Sequence, residues 1–332
     1  SVGLASDGSA FSGLDLFDEM KVLRYAMICY WGLTAFDPVA MPCATLLKMA
    51  TQGGANALGH GDILGTVEVG KKADVILVNL TRSFPDLKYW DLKKIWDDYY
   101  DHLGEIIAEA IWFSGSSYSR LRKNGIVKIV NPEVASEAYD NSPSVTILST
   151  HCGNWELMGG FLSYRTSTGT KVAIREEEIR VVYKKLSNPV SDEVFKRNRV
   201  AALERVGTTC EIESSNILRH AVSNKDKRLV YIYPTDQAPY KNAGKHPIGE
   251  FMHQPTNAMI GSMGLACKLS HAVVYMGMKR LERGRYEVSF TPICEDASQM
   301  TPEEILRKYY DLLEQELNET PANWLWSHKR WK

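Results

Sequence analysis

Residues 145–156 read Val-Thr-Ile-Leu-Ser-Thr-His-Cys-Gly-Asn-Trp-Glu, an apolar β-branched run of strand type that stops at a histidine. Gly153 and Asn154 break the pattern, and Trp155-Glu156-Leu157-Met158 opens a helix. In an open α/β sheet, ligands gather where strands end and helices begin. His151 stands at such a corner, with the Glu156 carboxylate five positions on. Ordered by that carboxylate, the imidazole would lift a proton from a hydroxyl and stabilise its own positive charge. A strand-end histidine bonded to backbone, with Glu156 only favouring a helix N-terminus, fits the same spacing.

The stretch His151-Cys152-Gly153-Asn154-Trp155-Glu156 resembles the His-x-x-x-x-Asp/Glu signature of the late acyltransferases of lipid A biosynthesis, in which His-x-Gly-Asn-Trp-Glu is characteristic. Further matches follow in order. Asn79-Leu80, Ser83-Phe84-Pro85, and Arg180 to Pro189 are similar to family segments, with Lys184 where the family commonly has Arg. A lysine keeps the charge and loses the bidentate fork. Arg205-Val206-Gly207, Leu218-Arg219 and Asp236-Gln237-Ala238-Pro239 match as well, although Asp and Pro would favour a turn at 236–239 in any case. Phe251, Gln254-Pro255-Thr256 and Gly261 follow a region that borders the family's acyl-chain groove. The chain closes on Pro321-Ala322-Asn323-Trp324-Leu325-Trp326-Ser327-His328-Lys329-Arg330-Trp331-Lys332, which resembles the family's terminal signature closely. The resemblance covers residues 79–332.

It implies an α/β sandwich of the glycerol-phosphate-acyltransferase type with a mixed sheet. The implied reaction moves a fatty acyl group from acyl carrier protein to a hydroxyl of a Kdo–lipid IVA-type glycolipid. His151 would be the general base and Glu156 its orienting carboxylate, while Asn154, Lys184, Arg199, Arg205, Asp236 and Gln237 would contact substrate. No cofactor and no nucleic-acid partner is expected. A His–carboxylate pair without an adjacent nucleophile suits direct transfer. Cys152 is a neighbour along the chain, where side chains diverge.

The first 78 residues differ. Ser6-Asp7-Gly8, Leu14 to Met20, Met49-Ala50-Thr51 with Ala57-Leu58-Gly59, and Gly65 to Asp74 resemble the C-terminal tail of the amidohydrolase superfamily, in its guanine-deaminase and chlorohydrolase branch. The reading is a small α+β appendage: a strand at 1–8, helices near 15–30 and 44–58, hairpin material at 61–70 and a strand at 73–78. By that resemblance Asp7 ends the eighth barrel strand at the metal site. The eight histidines include no His-x-His pair, so Asp7 is a vestigial position and no metal is expected. A metal-dependent amidohydrolase and a non-catalytic lipid-binding protein stand as the rival readings.

Composition narrows the setting. A net charge of −1 over 332 residues leaves attraction for anionic partners to local patches, such as Lys196, Arg197, Arg199 and Arg205, which also suit a solvated helix face. The cysteines at 29, 43, 152, 210, 267 and 294 have no paired zinc or redox spacing. The longest apolar stretch, Tyr25 to Phe36, falls short of the roughly 18–20 residues of a membrane span. The family's N-terminal membrane helix is replaced here, so peripheral attachment at the cytoplasmic face of the bacterial inner membrane is expected. Trp residues interleaved with Lys and Arg at the C-terminus suit such a surface. Strands at 171–174, 228–233 and 286–292 and amphipathic helices at 90–113 and 302–319 complete the expected elements.

Overall fold

The structure is a computed structural model that describes residues 16–33, 35, 42–62, 75–114, 120, 123–157, 165–166, 169, 172–185, 192–193, 210–239 and 246–331. It divides into two compact units, Ser1–Val75 and Ile76–Lys332.

In the first unit, α1 spans Leu16–Met27 and runs into a π-turn at Ile28–Gly32. A second helical run joins α2, Cys43–Lys48, through a π-turn at Met49–Gly53 to α3, Gly54–Ala57. Both runs fall where the sequence places helices. The strand at 1–8, the Asp7 position and most of the hairpin material lie outside the described residues. The strand expected at 73–78 is corrected: α4, a helix, spans Val75–Ser83. A short apolar run such as Val-Ile-Leu-Val carries no period that separates strand from helix. Tertiary contacts decide it. Ile76 and Leu80, one helical turn apart, are both buried, and the Asn79 amide donates to the carbonyls of Trp326 (2.9 Å) and His328 (3.1 Å).

The second unit is built on a mixed sheet. In chain order the elements are α5 (Tyr89–Ser114), β1 (Val127–Ile129), α6 (Pro132–Asp140), β2 (Val145–Ser149), β3 (Arg165–Thr166), β4 (Ile179–Tyr183), β5 (Glu211–Glu213), α7 (Ile217–Ser223) and β6 (Val230–Pro234). There follow β7 (Pro247–Phe251), β8 (Gln254–Asn257), α8 (Gly261–Lys268), β9 (Ala272–Glu282), β10 (Arg285–Cys294) and α9 (Pro302–Glu319). The strand order is β3-β1-β10-β9-β2-β6-β4-β5, with β7 and β8 forming a separate hairpin. Within the eight-stranded sheet, neighbouring strands are parallel except β9 and β10.

Every residue of β2 is buried, as a central strand covered on both faces requires. Its two faces feed two cores. Val145 and Ile147 join Val230, Ile232, Val274 and Met276 beneath Ala135 and Tyr139 of α6. Leu148 joins Tyr231, Tyr233 and Tyr275 under Ile305, Leu306, Tyr309, Tyr310, Leu313 and Leu317 of α9. That helix starts at a capping box, in which the Thr301 hydroxyl accepts from Glu304 N–H and the Glu304 carboxylate accepts from Thr301 N–H.

Of the strand expected at 171–174, the described residues 172–174 form no strand; a 3₁₀ turn occupies Glu176–Glu178, and β4 begins at Ile179. The Arg175 backbone N–H and guanidinium both donate to the Glu178 carboxylate, which closes the chain into the turn. β9, which pairs with both β2 and β10, was not anticipated from the sequence.

Candidate active site

β2 and β6 are parallel neighbours with Ser149 opposite Pro234. His151 and Asp236 each lie two residues past that pair, so the register brings them together at the C-terminal edge of the sheet. Asp236 Oδ1 lies 2.6 Å from His151 Nδ1, and Oδ2 accepts the His151 backbone N–H at 3.0 Å. The same Oδ2 accepts the indole N–H of Trp324 at 2.5 Å. Gln237 Nε2 stands 3.1 Å from His151 Nε2, and the Trp155 ring leans on the imidazole at 5.2 Å between centroids.

Burial alone would raise the Asp236 carboxyl pKa. The His151 charge and the three donors outweigh that and bring it down to about 2, so the group is an anion at neutral pH. An anion on Nδ1 keeps the proton there and leaves Nε2 as the acceptor, where the Gln237 amide now donates. The Asp236 side chain is 1% exposed and that of His151 14%, so the acid is sealed while the base keeps an opening.

This geometry corrects the expected His151–Glu156 pairing: the carboxylate on Nδ1 is that of Asp236. Glu156 sits in a 3₁₀ turn at 155–157 and accepts the Trp155 indole N–H at 3.1 Å. The turn is tight, and it carries the Glu156 side chain to the tryptophan beside it. Asn154 is fully buried with its amide on Glu109 Oε2 at 2.7 Å, so it anchors the corner to α5 rather than offering its amide to a substrate. The Tyr286 hydroxyl donates to the same Glu109 oxygen, and Arg280 grips Glu105 one turn earlier with two hydrogen bonds of 2.7 Å. Lys184 is exposed just past β4, on the sheet edge that carries His151 and Asp236. Arg199 and Arg205 lie outside the described residues.

The loop after β2 needs its glycine. Gly153 has φ +58°, and a Cβ there would fall 2.7 Å from Met278 Cγ and 2.9 Å from the Met278 carbonyl oxygen. Its N–H donates to the Asn323 carbonyl at 2.9 Å, Cys152 bridges to Trp324, and Leu325 N–H donates to the His151 carbonyl. The C-terminal tail is thus a wall of the site. Sequence reasoning matched the tail to a family signature but assigned no site residue within it.

Beneath the corner lies Glu316 of α9. Its burial, opposed by the Tyr275 hydroxyl at 2.6 Å and the Cys152 thiol, raises its pKa to about 7, with the Asp236 charge adding to the rise. The folded protein therefore holds this acid protonated at pH values where the unfolded chain ionises it. Its stabilisation is complete below about 4.5 and is lost as pH rises through about 7. Buried His102 and His271, both held near 4 by burial, act in the opposite sense below 6.5. The expected result is that Glu316→Gln flattens the fall in melting temperature between pH 5 and 8. Parallel curves for the two proteins would refute it.

Among the described residues, no group of three His, Cys, Asp or Glu is arranged to hold a metal ion. The family model described as bacterial lipid A biosynthesis acyltransferase matches residues 18–332. Among curated proteins, the 5-methylthioadenosine/S-adenosylhomocysteine deaminase of Syntrophobacter fumaroxidans is 42% identical over 83 residues, 25% of this chain and 18% of its own. That of Pelotomaculum thermopropionicum is 45% identical over 83 residues, with the same shares. That of Thermoanaerobacter pseudethanolicus is 30% identical over 135 residues, 40% of this chain and 27% of the relative. The chain spans under a third of the length of each of these deaminases.

Proposed function

The chain belongs to the bacterial lipid A biosynthesis acyltransferase family, and from that premise we propose that it carries a fatty acyl group from acyl carrier protein to a hydroxyl of a Kdo–lipid IVA-type glycolipid. His151 acts as general base and Asp236 as its orienting anion. With Nδ1–H held by Asp236, Nε2 takes the proton of the acceptor hydroxyl in the place now filled by the Gln237 amide. The oxygen attacks the thioester carbonyl, the C–S bond breaks, and the imidazolium returns the proton to the leaving thiolate. An ester and a free carrier thiol result. The observation that carries this reading is the 2.6 Å contact between Asp236 and the partly open His151 at the sheet's C-terminal edge.

Direct transfer is favoured over an acyl-enzyme. The Cys152 thiol is fully buried, and that burial pushes its pKa well above the ordinary thiol value. Glu156 supports the site at one remove by holding Trp155 against the imidazole. Lys184, with Arg199 and Arg205, is read as meeting the anionic carrier or lipid.

We read residues 1–78 as an inactive C-terminal fragment of an amidohydrolase-superfamily protein joined to the acyltransferase domain at 79–332. The deaminase similarity over about a quarter of the chain supports that reading. Among the described residues no helix is long and apolar enough to cross a membrane. Peripheral attachment at the cytoplasmic face of the inner membrane fits the proposed substrates.

The test is acyl transfer from radiolabelled acyl-carrier thioester to glycolipid, followed by mass spectrometry of the lipid. His151→Ala is expected to abolish transfer and Cys152→Ala to keep most of it; the reverse pattern would sink the assignment.

A further inference from the structure

One side chain of the C-terminal tail touches the carboxylate that orients the base. Asp236 has two oxygens with unequal surroundings. Oδ2 receives two N–H donors, from the His151 backbone and the Trp324 indole, and Oδ1 faces the imidazole. Donors converging on one oxygen stop the carboxylate from turning about its Cβ–Cγ bond. The ring of Trp324 is itself fixed, edge-on to Trp326 at 4.8 Å and to Phe251 at 5.9 Å, and it is 2% exposed. Its backbone bridges Cys152, beside the base. A buried indole N–H needs some acceptor, and that of Trp326 takes a backbone carbonyl, Pro321, at 2.6 Å. The Trp324 N–H donates instead to Asp236, the carboxylate on the imidazole.

We infer that Trp324 is a positioning residue for the acyl transfer: its N–H locks the Asp236 carboxylate so that Oδ1 stays on His151 Nδ1. The inference rests on the proposed role of His151 and Asp236. An indole donates and does not accept, so it takes no part in moving the proton. Its influence is exerted through Asp236.

The experiment uses the full chain carrying Trp324→Phe, which keeps an aromatic ring and loses the donor. A second variant, with benzothienylalanine at position 324, keeps the full two-ring shape should the phenyl group pack poorly. Trp331→Phe serves as the comparison, because its indole N–H goes to the Thr256 hydroxyl. The readouts are kcat and KM for the carrier thioester, together with the titration of the His151 ring by NMR. At position 324, kcat is expected to fall roughly tenfold, the size of one hydrogen bond to a charged group, with KM nearly unchanged. The His151 pKa is expected to fall, since a carboxylate free to turn away from Nδ1 holds the imidazolium less tightly. Trp331→Phe should move neither. Unchanged kcat and titration in folded Trp324 variants, beside an inactive His151→Ala, would overturn this inference alone. A His151→Ala protein that still transfers acyl groups would overturn the reading beneath it as well.

Discussion

Asp236→Asn is expected to lower kcat by about 10³–10⁴-fold with the fold intact, as loss of the orienting carboxylate does in a Ser-His-Asp triad. The reason lies in the donors around it. The His151 backbone N–H and the Trp324 indole both point at Oδ2, so they capture the amide oxygen of an asparagine. The amide NH₂ then faces Nδ1 and forces that nitrogen to accept. The proton moves to Nε2, where the base must instead have a lone pair. Glu156→Gln should cost less than about tenfold, because a glutamine oxygen still accepts the Trp155 indole N–H and one neutral hydrogen bond is at stake. Side-by-side single-turnover assays of the two variants decide the matter. A larger loss at Glu156 than at Asp236 would return the orienting role to the residue five positions from the histidine.

Trp326→Ala is expected to destabilise the second unit by about 3–5 kcal/mol, the usual range for removing a buried aromatic side chain. The Trp326 ring is 0% exposed, packs on Phe84 at 5.8 Å and Trp324 at 4.8 Å, and anchors the tail through Pro321. Its backbone carbonyl, which an alanine keeps, accepts from Asn79 on α4, so the loss falls on the ring's packing and its hydrogen bond. A typical domain holds about 5–15 kcal/mol in total, which makes this a large share. Urea denaturation measures it, with the midpoint falling at unchanged slope. A loss under about 1 kcal/mol would mean that the tail adds little to the core. Activity should fall further than the unfolded fraction explains, because Trp324 leans on the ring that is removed.

Elements whose cause is local were legible from the chain itself. The α9 helix starts at Thr301 with Glu304 three residues on and keeps its apolar residues at helical spacing, and it spans the expected residues. The α5 helix, Tyr89–Ser114, follows the same logic and spans the expected residues. The apolar run before His151 is β2, because a strand covered on both faces advertises itself in composition. The run at 73–78 looked the same and is a helix in part, since what separates the cases is packing by Asn79 and Leu80 against residues far along the chain.

Residue types at the site are readable in the sequence, which points to His151, Asp236 and Gln237. Their pairing is not. Glu156 lies five positions along the chain from His151, and Asp236 eighty-five. Spacing along the chain favoured the near carboxylate, while the parallel register of β2 with β6 delivered the far one. The sequence by itself determined which groups can carry and hold a proton, because that is a property of side-chain chemistry. Which carboxylate holds which nitrogen, and that Trp324 closes over the pair, was decided only by tertiary structure, because strand register and a tail folded back on the sheet are contacts between distant segments.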